Sequence, residues 1–288
     1  MKNLTWDDIQ KQSDTILSCG LYKLKTQPFC DLADVTEKGS GNYLISLDEV
    51  PFYIGEGEDL IKRLKQQFRP TTSTFYKNFK KHDSSNHSLV KPSIVKFKIQ
   101  FISTIIGRKE LEEFGIVNLP TKLNHFQLGK RNKCVIADQS ELWDMVQQDA
   151  SKLIKEGENS IIKSKFTHWF DTMIINSAGL YLVKDKSDNL IYIGESSDVG
   201  KRIITHSGKT YFSALRRHIG TVIYSFQLQE LKGKKRYFSE TEDKKITEFL
   251  KTCTATVYPI SFGRYELEEY LIRTYRPLLN IKCNKICT

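Results

Sequence analysis

Residues 179–194 read GLYLVKDKSDNLIYIG. Two short apolar runs, 180–183 and 190–193, flank a polar connection. Short apolar runs around such a connection predict a β-hairpin. Asp198 and Arg202 follow in a segment that begins with a helix-capping residue, which predicts a helix directly after the hairpin.

The hairpin and its helix occur twice in the chain. YIGE at 53–56 returns as YIGE at 192–195, an offset of 139 residues. Other blocks return in the same order: WDDIQ at 6–10 with WDMVQ at 143–147, Asp59 and Arg63 with Asp198 and Arg202, TFY at 74–76 with TYF at 210–212, and ELEEF at 110–114 with ELEEY at 266–270. Matching blocks in one order indicate an internal duplication.

The second copy is longer than the first. The offset rises to 156 residues for the last block, so an extra element should lie between residues 224 and 264. SETE at 239–242 has capping-box spacing, which predicts a short helical insertion over 239–251. A strand-like run, 255–262, follows it.

Each copy is expected to form a small α+β module. In the first copy, 42–47 and 51–54 predict the hairpin. Alternating apolar and polar residues over 95–102 predict a third strand, with its counterpart at 221–228. A helix that carries a glutamate closes each module. The prediction is therefore two tandem modules, each a three-stranded, mainly antiparallel sheet flanked by helices and preceded by a leading helix. The expected modules are 1–130 and 131–288.

The chain is strongly basic. It has 44 Lys and Arg against 34 Asp and Glu, a formal net charge of +10 over 288 residues. Such an excess attracts polyanions, and nucleic acid is the commonest polyanion in a cell.

Other composition features disfavour secretion and membrane insertion. The chain begins without an apolar leader and has no run of about 18 apolar residues. Its six cysteines are scattered, as in proteins with reduced thiols, so we expect a cytoplasmic protein. Cys283 and Cys287 have the spacing of half a zinc site, and no second ligand pair is evident in the sequence.

Five positions in order, found twice, resemble the GIY-YIG nuclease superfamily. In the second copy they are Gly179-Leu180-Tyr181, Tyr192-Ile193-Gly194, Arg202, Glu268 and Asn280, and in the first copy Gly41-Asn42-Tyr43, Tyr53-Ile54-Gly55, Arg63, Glu112 and Asn124. The resemblance covers nearly the whole chain apart from each copy's leading helix. It implies a metal-dependent DNA endonuclease, most like the restriction-type members, that acts on double-stranded DNA.

The resemblance also implies how the charged residues would act. Glu268, and Glu112 in the first copy, would hold Mg²⁺ or Mn²⁺, because Mg²⁺ prefers a carboxylate and several waters to an all-protein cage. Arg202 would direct a permanent positive charge at the scissile phosphate.

The remaining roles concern proton transfer and support. Tyr181 would orient or deprotonate the attacking water, with Tyr192 beside it. His206, one turn after Arg202, would relay the proton. Asn280 would brace the glutamate helix and the sheet. The corresponding residues of the first copy are Tyr43, Tyr53, Arg63 and Asn124.

Two further basic clusters are candidates for contact with DNA phosphates. Each follows an apolar pair, as in a helix that is packed on one side and basic on the other. They consist of Lys80, Lys81 and His82 in the first copy and Arg216, Arg217 and His218 in the second. The basic run KGKKR at 232–236 is read either as a phosphate contact or as a solvated loop.

The two copies differ in completeness. Gln67 stands where the second copy has His206. We therefore expect both copies to bind metal and the C-terminal site to cut faster. The leading hypothesis is one chain that cuts both strands, as a monomer acting as a pseudo-dimer or as a homodimer. The alternatives are a DNA-binding scaffold with inactive nuclease remnants, and a repair or homing endonuclease.

Overall fold

The computed structural model describes residues 4–36, 38–69, 73–84, 97–124, 131–172, 174–231 and 235–281. The chain divides into two compact units, Met1–Leu153 and Ile154–Thr288. The division therefore falls after Leu153, whereas the modules were expected to divide after residue 130. The reason is the packing of Trp143, whose ring lies against Gly20, so closely that a Cβ at that glycine would overlap it.

The first unit contains the first hairpin and its flanking helices. Its elements are α1 (Trp6–Lys11), α2 (Ser13–Lys25), β1 (Gly41–Leu47), β2 (Val50–Gly57), α3 (Leu60–Gln67), α4 (Thr74–Ser84), β3 (Lys98–Ser103), α5 (Arg108–Asn118) and α6 (Glu141–Gln148). The three strands form an antiparallel sheet in the order β2-β1-β3. The predicted hairpin and third strand are both present, although residues 95 and 96 lie outside the described ranges.

The second unit begins within α7 (Ala150–Ile162). Its further elements are β4 (Thr167–His168), β5 (Gly179–Lys184), β6 (Leu190–Ser196), α8 (Val199–Ser207), α9 (Ala214–His218), β7 (Gln229–Leu231), β8 (Lys235–Tyr237), α10 (Glu240–Lys251), β9 (Thr254–Pro259) and α11 (Arg264–Tyr275). Four strands form the antiparallel main sheet in the order β4-β9-β5-β6, and β7 pairs with β8. The fold is thus mixed α+β with antiparallel sheets.

The helices begin where side chains satisfy their first amide groups. Asp198 accepts a hydrogen bond from the amide of Lys201 at the start of α8. Ser239 and Glu242 form a reciprocal capping box at the start of α10, so the helix predicted over 239–251 is present. Gly263 precedes α11 with a φ of +81°, a backbone conformation that favours glycine.

The prediction of a strand at 221–228 is wrong. Residues Ile219–Ile223 form a turn of π-helix, and β9 pairs with β5 as the third strand. The alternating residues Val222, Tyr224 and Phe226 pack instead against the buried core of the second unit. An alternating apolar pattern indicates only that one face of a segment is buried. In this protein that face is buried by packing on α10 and not by pairing within the sheet.

Each unit has its own apolar core. The first is built around aromatic rings that include Tyr43, Phe75 and Phe97. The second contains Trp169, Tyr181 and residues of α8 and α10. Within the described ranges, no helix is both long and apolar enough to cross a membrane.

Candidate active site

Tyr181 lies in the middle of β5 and is 2% exposed. It pairs across the hairpin with Gly194, and its hydroxyl occupies the space that a Cβ at that glycine would fill. The strand pairing and the glycine therefore determine the position of the phenol together. Burial raises the pKa of Tyr181 well above its usual value, and the neighbouring Tyr192 adds to the rise.

His206 connects this phenol to the next helix. Its Nε2 lies 2.7 Å from the hydroxyl of Tyr181, and its Nδ1 lies 2.7 Å from the hydroxyl of Ser213. Burial lowers the pKa of His206 to about 3, and Arg202 is the next largest cause. The imidazole is therefore neutral at physiological pH, with one nitrogen available as an acceptor.

Tyr192 and Arg202 complete one side of the site. The ring of Tyr192 lies 5.9 Å from that of Tyr181, and burial raises its pKa. Within the described ranges, the guanidinium of Arg202 forms neither a hydrogen bond nor an ion pair. The charge of Arg202 lowers the pKa of Tyr181 and of Tyr192, so the guanidinium belongs to the same site as the two phenols.

Glu268 supplies the carboxylate of the site. Its Oε1 accepts a hydrogen bond of 3.0 Å from the amide of Glu195, and Oε2 has no partner among the described residues. Burial raises the pKa of Glu268 to about 8, and the Glu195 carboxylate adds to the rise. The Glu195 carboxylate is itself paired with Arg264 at 2.9 Å.

This donor set fits a divalent cation with a water-rich coordination sphere. One partly buried carboxylate with a free oxygen is what Mg²⁺ needs from a protein when water supplies the other ligands. A cation at Glu268 would also stabilise the ionised form that burial disfavours. The described part of the chain contains no cluster of three or more His, Cys, Asp or Glu side chains that could hold a metal ion.

Asn280 lies beside β6 rather than among the reactive groups. Its side chain accepts a hydrogen bond from the amide of Ile193 at 3.0 Å and donates one to its carbonyl at 2.8 Å. These paired bonds attach the segment after α11 to the strand that carries Tyr192, which agrees with the expected bracing role.

The first unit contains a related arrangement around Tyr43, which is fully buried. Gln67 donates a hydrogen bond of 2.8 Å from Nε2 to the hydroxyl of Tyr43, and its Oε1 accepts one from Ser73. The ring of Tyr53 lies 6.2 Å from that of Tyr43. Arg63 is exposed and, among the described residues, makes no side-chain hydrogen bond or ion pair.

The carboxylate of the first unit has a different partner. Glu112 Oε2 lies 2.7 Å from Nζ of Lys109, and the glutamate is 6% exposed. Burial raises the pKa of Glu112, and Lys109 opposes that rise. Asn124 makes the same pair of hydrogen bonds to the backbone of Ile54 that Asn280 makes to Ile193.

The predicted basic cluster in the second unit is not exposed as a whole. Arg216 is 1% exposed, and its guanidinium binds Asp243 and Thr247 at 3.0 Å each. It therefore holds α9 against α10, and a phosphate has no access to it. His218 Nδ1 lies 2.6 Å from the carbonyl of Leu279. Arg217 is partly exposed, and its charge, like that of Arg216, lowers the pKa of His206, so Arg217 is the arginine of the three residues that a phosphate near the site could reach.

The predicted cluster in the first unit lies at the end of α4. Lys80 and Lys81 are exposed, and Lys80 Nζ lies 5.3 Å above the ring of Tyr76. His82 is partly buried, with its ring 5.8 Å from that of Phe52. Residues 232–234 of the basic run, and also Cys283 and Cys287, lie outside the described ranges.

Three features were missed by reading the sequence. Ser213 and Lys109 escaped notice because only the folded chain shows which side chain they meet. The third is a groove of about 490 Å³ beside α3, which we call the α3 groove. Four cationic residues line it: Lys38, Lys62, Lys65 and Arg69. The spacing of the last three, one face of a helix, is a signal that the sequence did contain.

Comparison with known families agrees with the geometry of the second unit. Residues 154–288 match the family described as the GIY-YIG catalytic domain. This range coincides with the second unit and supports both the superfamily resemblance and an endonuclease activity on DNA. No curated protein and no solved structure gives a significant match.

Proposed function

We propose that the chain is a DNA endonuclease whose second unit hydrolyses phosphodiester bonds with the help of Mg²⁺ or Mn²⁺. One observation carries the proposal. The buried hydroxyl of Tyr181 lies 2.7 Å from neutral His206 and beside the ring of Tyr192, and the charges of Arg202 and Glu268 both act on this pair of tyrosines. A cation, a carboxylate and a proton acceptor are the groups that this reaction requires.

The proton of the attacking water passes through Tyr181 in this proposal. A phenol with a raised pKa stays protonated at neutral pH, so Tyr181 cannot act as a base unless it loses its own proton. Neutral His206 lies 2.7 Å away and is the proposed acceptor of the phenolic proton as Tyr181 takes the proton of the water. A phosphate bound at Arg202 would offset part of the positive charge that helps to hold the pKa of His206 at about 3, which would make the imidazole a better acceptor. The new P–O bond forms to the water oxygen as the bond to the leaving sugar oxygen breaks, and that oxygen is protonated from solvent.

Charge on the phosphate is the second requirement. Arg202 is free of internal partners among the described residues and can form two parallel hydrogen bonds to phosphate oxygens. Glu268 would hold the metal ion, which stabilises the extra negative charge of the transition state. Arg217 adds positive potential from α9.

We also propose that both units are copies of one GIY-YIG-type module. The first and second sheets share the strand order third-first-second, and Tyr43 pairs with Gly55 as Tyr181 pairs with Gly194. Gly107, with a φ of +86°, begins α5 as Gly263 begins α11. The paired hydrogen bonds of Asn124 and Asn280 agree as well. These parallels support a tandem duplication, with the helical insertion before β9 of the second copy.

The biological role that we propose is restriction of double-stranded DNA. Cutting both strands from one chain would need a second working centre, and the site around Tyr43 is the candidate for it. Repair or mobile-element homing would use the same chemistry. The competing class of function is a DNA-binding scaffold, which would bind a duplex and never cut it.

Glu268→Ala separates the enzyme from the scaffold. The variant should lose at least about 100-fold of its nicking rate on supercoiled plasmid in Mg²⁺, because it removes the metal ligand and keeps the basic surface. Glu248→Ala, an exposed carboxylate of α10, is the matched control. Gel-shift assays should give similar DNA affinity for both variants. Undiminished cutting by Glu268→Ala, or no cutting by the unmodified chain, would refute the proposal.

A further inference from the structure

The first unit carries an internal cation at its glutamate. Lys109 lies one helical turn before Glu112 on α5, and its ammonium is 2.7 Å from Oε2. Lys109 is 24% exposed, so water competes only partly for this contact. Among the described residues, the lysine is the only partner of the Glu112 side chain.

The second unit differs at the equivalent position. Tyr265 takes the place of Lys109 in the repeat, and the one side-chain partner of Glu268 in the described chain is the Glu195 amide. An amide leaves the negative charge of a carboxylate in place, whereas an ammonium neutralises it. Mg²⁺ at Glu112 would have to displace Lys109 and remain beside its positive charge. The residues of the first site therefore do not fit the metal that the second site fits.

The α3 groove is an independent feature of the same unit. Lys62, Lys65 and Arg69 line one face of α3 and its end, and Lys38 lies opposite them. All four side chains are exposed, and none has an ion-pair partner among the described residues. Asp59 is the one carboxylate in the groove, and its Oδ1 is occupied by the amide of Lys62. The groove thus has an excess of positive charge, with four cations against one carboxylate.

The second unit has lost this charge. The residues that correspond to Lys65 and Arg69 are Ile204 and Gly208, and only Lys201 is retained. A duplex carries one phosphate about every 1.7 Å along its axis, so several cations in one groove match its backbone.

We infer that the first unit is a metal-free anchor for the DNA backbone, in which Lys109 takes the place of the metal and the α3 groove binds phosphates. The chain then holds one metal ion, at Glu268, and cuts at one centre. This inference rests on the proposed nuclease function of the second unit. It revises the expectation that Glu112 also binds metal.

Counting bound Mn²⁺ by electron paramagnetic resonance tests the first half without measuring cleavage. The unmodified chain should bind one ion, and Glu268→Ala should bind none. Lys109→Gln should gain an ion relative to the unmodified chain, and Lys109→Tyr, which copies the second unit, serves as a second variant if the first folds poorly. Two ions on the unmodified chain, or no gain in either folded Lys109 variant, would overturn the inference.

Binding to a 30-base-pair duplex in EDTA tests the second half. Lys62→Ala with Lys65→Ala should weaken binding at least 10-fold and reduce the slope of log affinity against log salt by about 1.8, since each phosphate contact contributes about 0.9. Lys11→Ala with Lys25→Ala removes the same charge from exposed positions elsewhere in the unit and should change affinity less than 2-fold. Equal losses in the two double variants would refute the anchor. Failure of the nuclease proposal would appear separately, as cutting that survives Glu268→Ala.

Discussion

His206 and Gln67 each lie within hydrogen-bond distance of a buried tyrosine hydroxyl, and the two side chains differ in what they can accept. The amide of Gln67 donates to the hydroxyl of Tyr43, and its oxygen is occupied by Ser73. A ring nitrogen of neutral His206 lies 2.7 Å from the hydroxyl of Tyr181. The NH₂ group of glutamine can only donate, whereas an imidazole nitrogen can accept in one of the two tautomers. Only His206 therefore has the chemistry to take a proton from its tyrosine.

His206→Gln should convert the second site to the state of the first. Because Gln67 shows that glutamine can hold such a tyrosine, the variant should fold and bind DNA normally. Cleavage should fall by about 10² to 10⁴, the usual contribution of a general acid or base. The measurement is single-turnover nicking in Mg²⁺. A rate within 3-fold of the unmodified chain would exclude His206 as the proton acceptor.

The pH dependence of stability provides a control for the same variant. The pKa of His206 is lowered to about 3 in the folded chain, and an unfolded histidine has a pKa near 6.5. Between these values the unfolded state binds the extra proton, so this group's contribution to stability is complete above about pH 6.5 and is lost as pH falls. Urea titrations of His206→Gln should lack that part of the decline.

At the scale of elements, the sequence predicted each element that has a local signal. The hairpins, the capped helix α10 and the glutamate helices follow from apolar runs and capping residues, and all are present. The prediction placed the third strand of the second unit at the wrong residues, because an alternating pattern does not show which surface will bury its apolar face. The apolar residues within 221–228 pack against the core that includes α10, and β9 is the strand that pairs with β5.

The candidate site divides in the same way. Tyr181, Arg202 and Glu268 were predicted because the family pattern fixes their order. Lys109 and Ser213 were missed because each matters only through the side chain that it contacts. Lys109 contacts Glu112, and Ser213 contacts His206. Arg216 looked like a DNA contact in the sequence, and only the position of Asp243 on α10 makes it structural. Residue types with local roles are predictable, whereas pairings between elements require the fold.

Strand pairing in the hairpin yields a test of the site's geometry. A Cβ at Gly194 would overlap the hydroxyl of Tyr181, so Gly194→Ala should displace the phenol from His206. Because a shift of about 1 Å can cost about 100-fold in rate, cleavage should fall by that order with DNA affinity unchanged. Gly55→Ala is the matched control, since Tyr43 fills the same space in the first unit. If both variants cut equally well, the position of Tyr181 does not matter to the reaction.

In the whole molecule, the two units differ in charge and in chemistry. The second has a neutral histidine, an unpaired arginine among the described residues and a carboxylate with a free oxygen. The first has a glutamine, a neutralised glutamate and a groove of positive charge. If the proposed duplication first supplied two cutting centres, these differences would leave one cutting centre and one DNA-binding unit, which would position the substrate without a second reaction.

The number of cutting centres determines how a plasmid is cut. With one centre per chain, each binding event breaks one strand, and a second chain must attack the other strand. Supercoiled plasmid should therefore pass through an accumulating nicked circle. The nicking rate should rise in proportion to chain concentration, and the rate of linear product should rise more steeply. The measurement is a time course at several chain concentrations below saturation, with end labels specific to each strand. Lys11→Ala with Lys25→Ala should follow the same course. If linear DNA forms without a nicked intermediate, and at a rate proportional to concentration, then both units cut and Lys109 does not prevent the first from doing so.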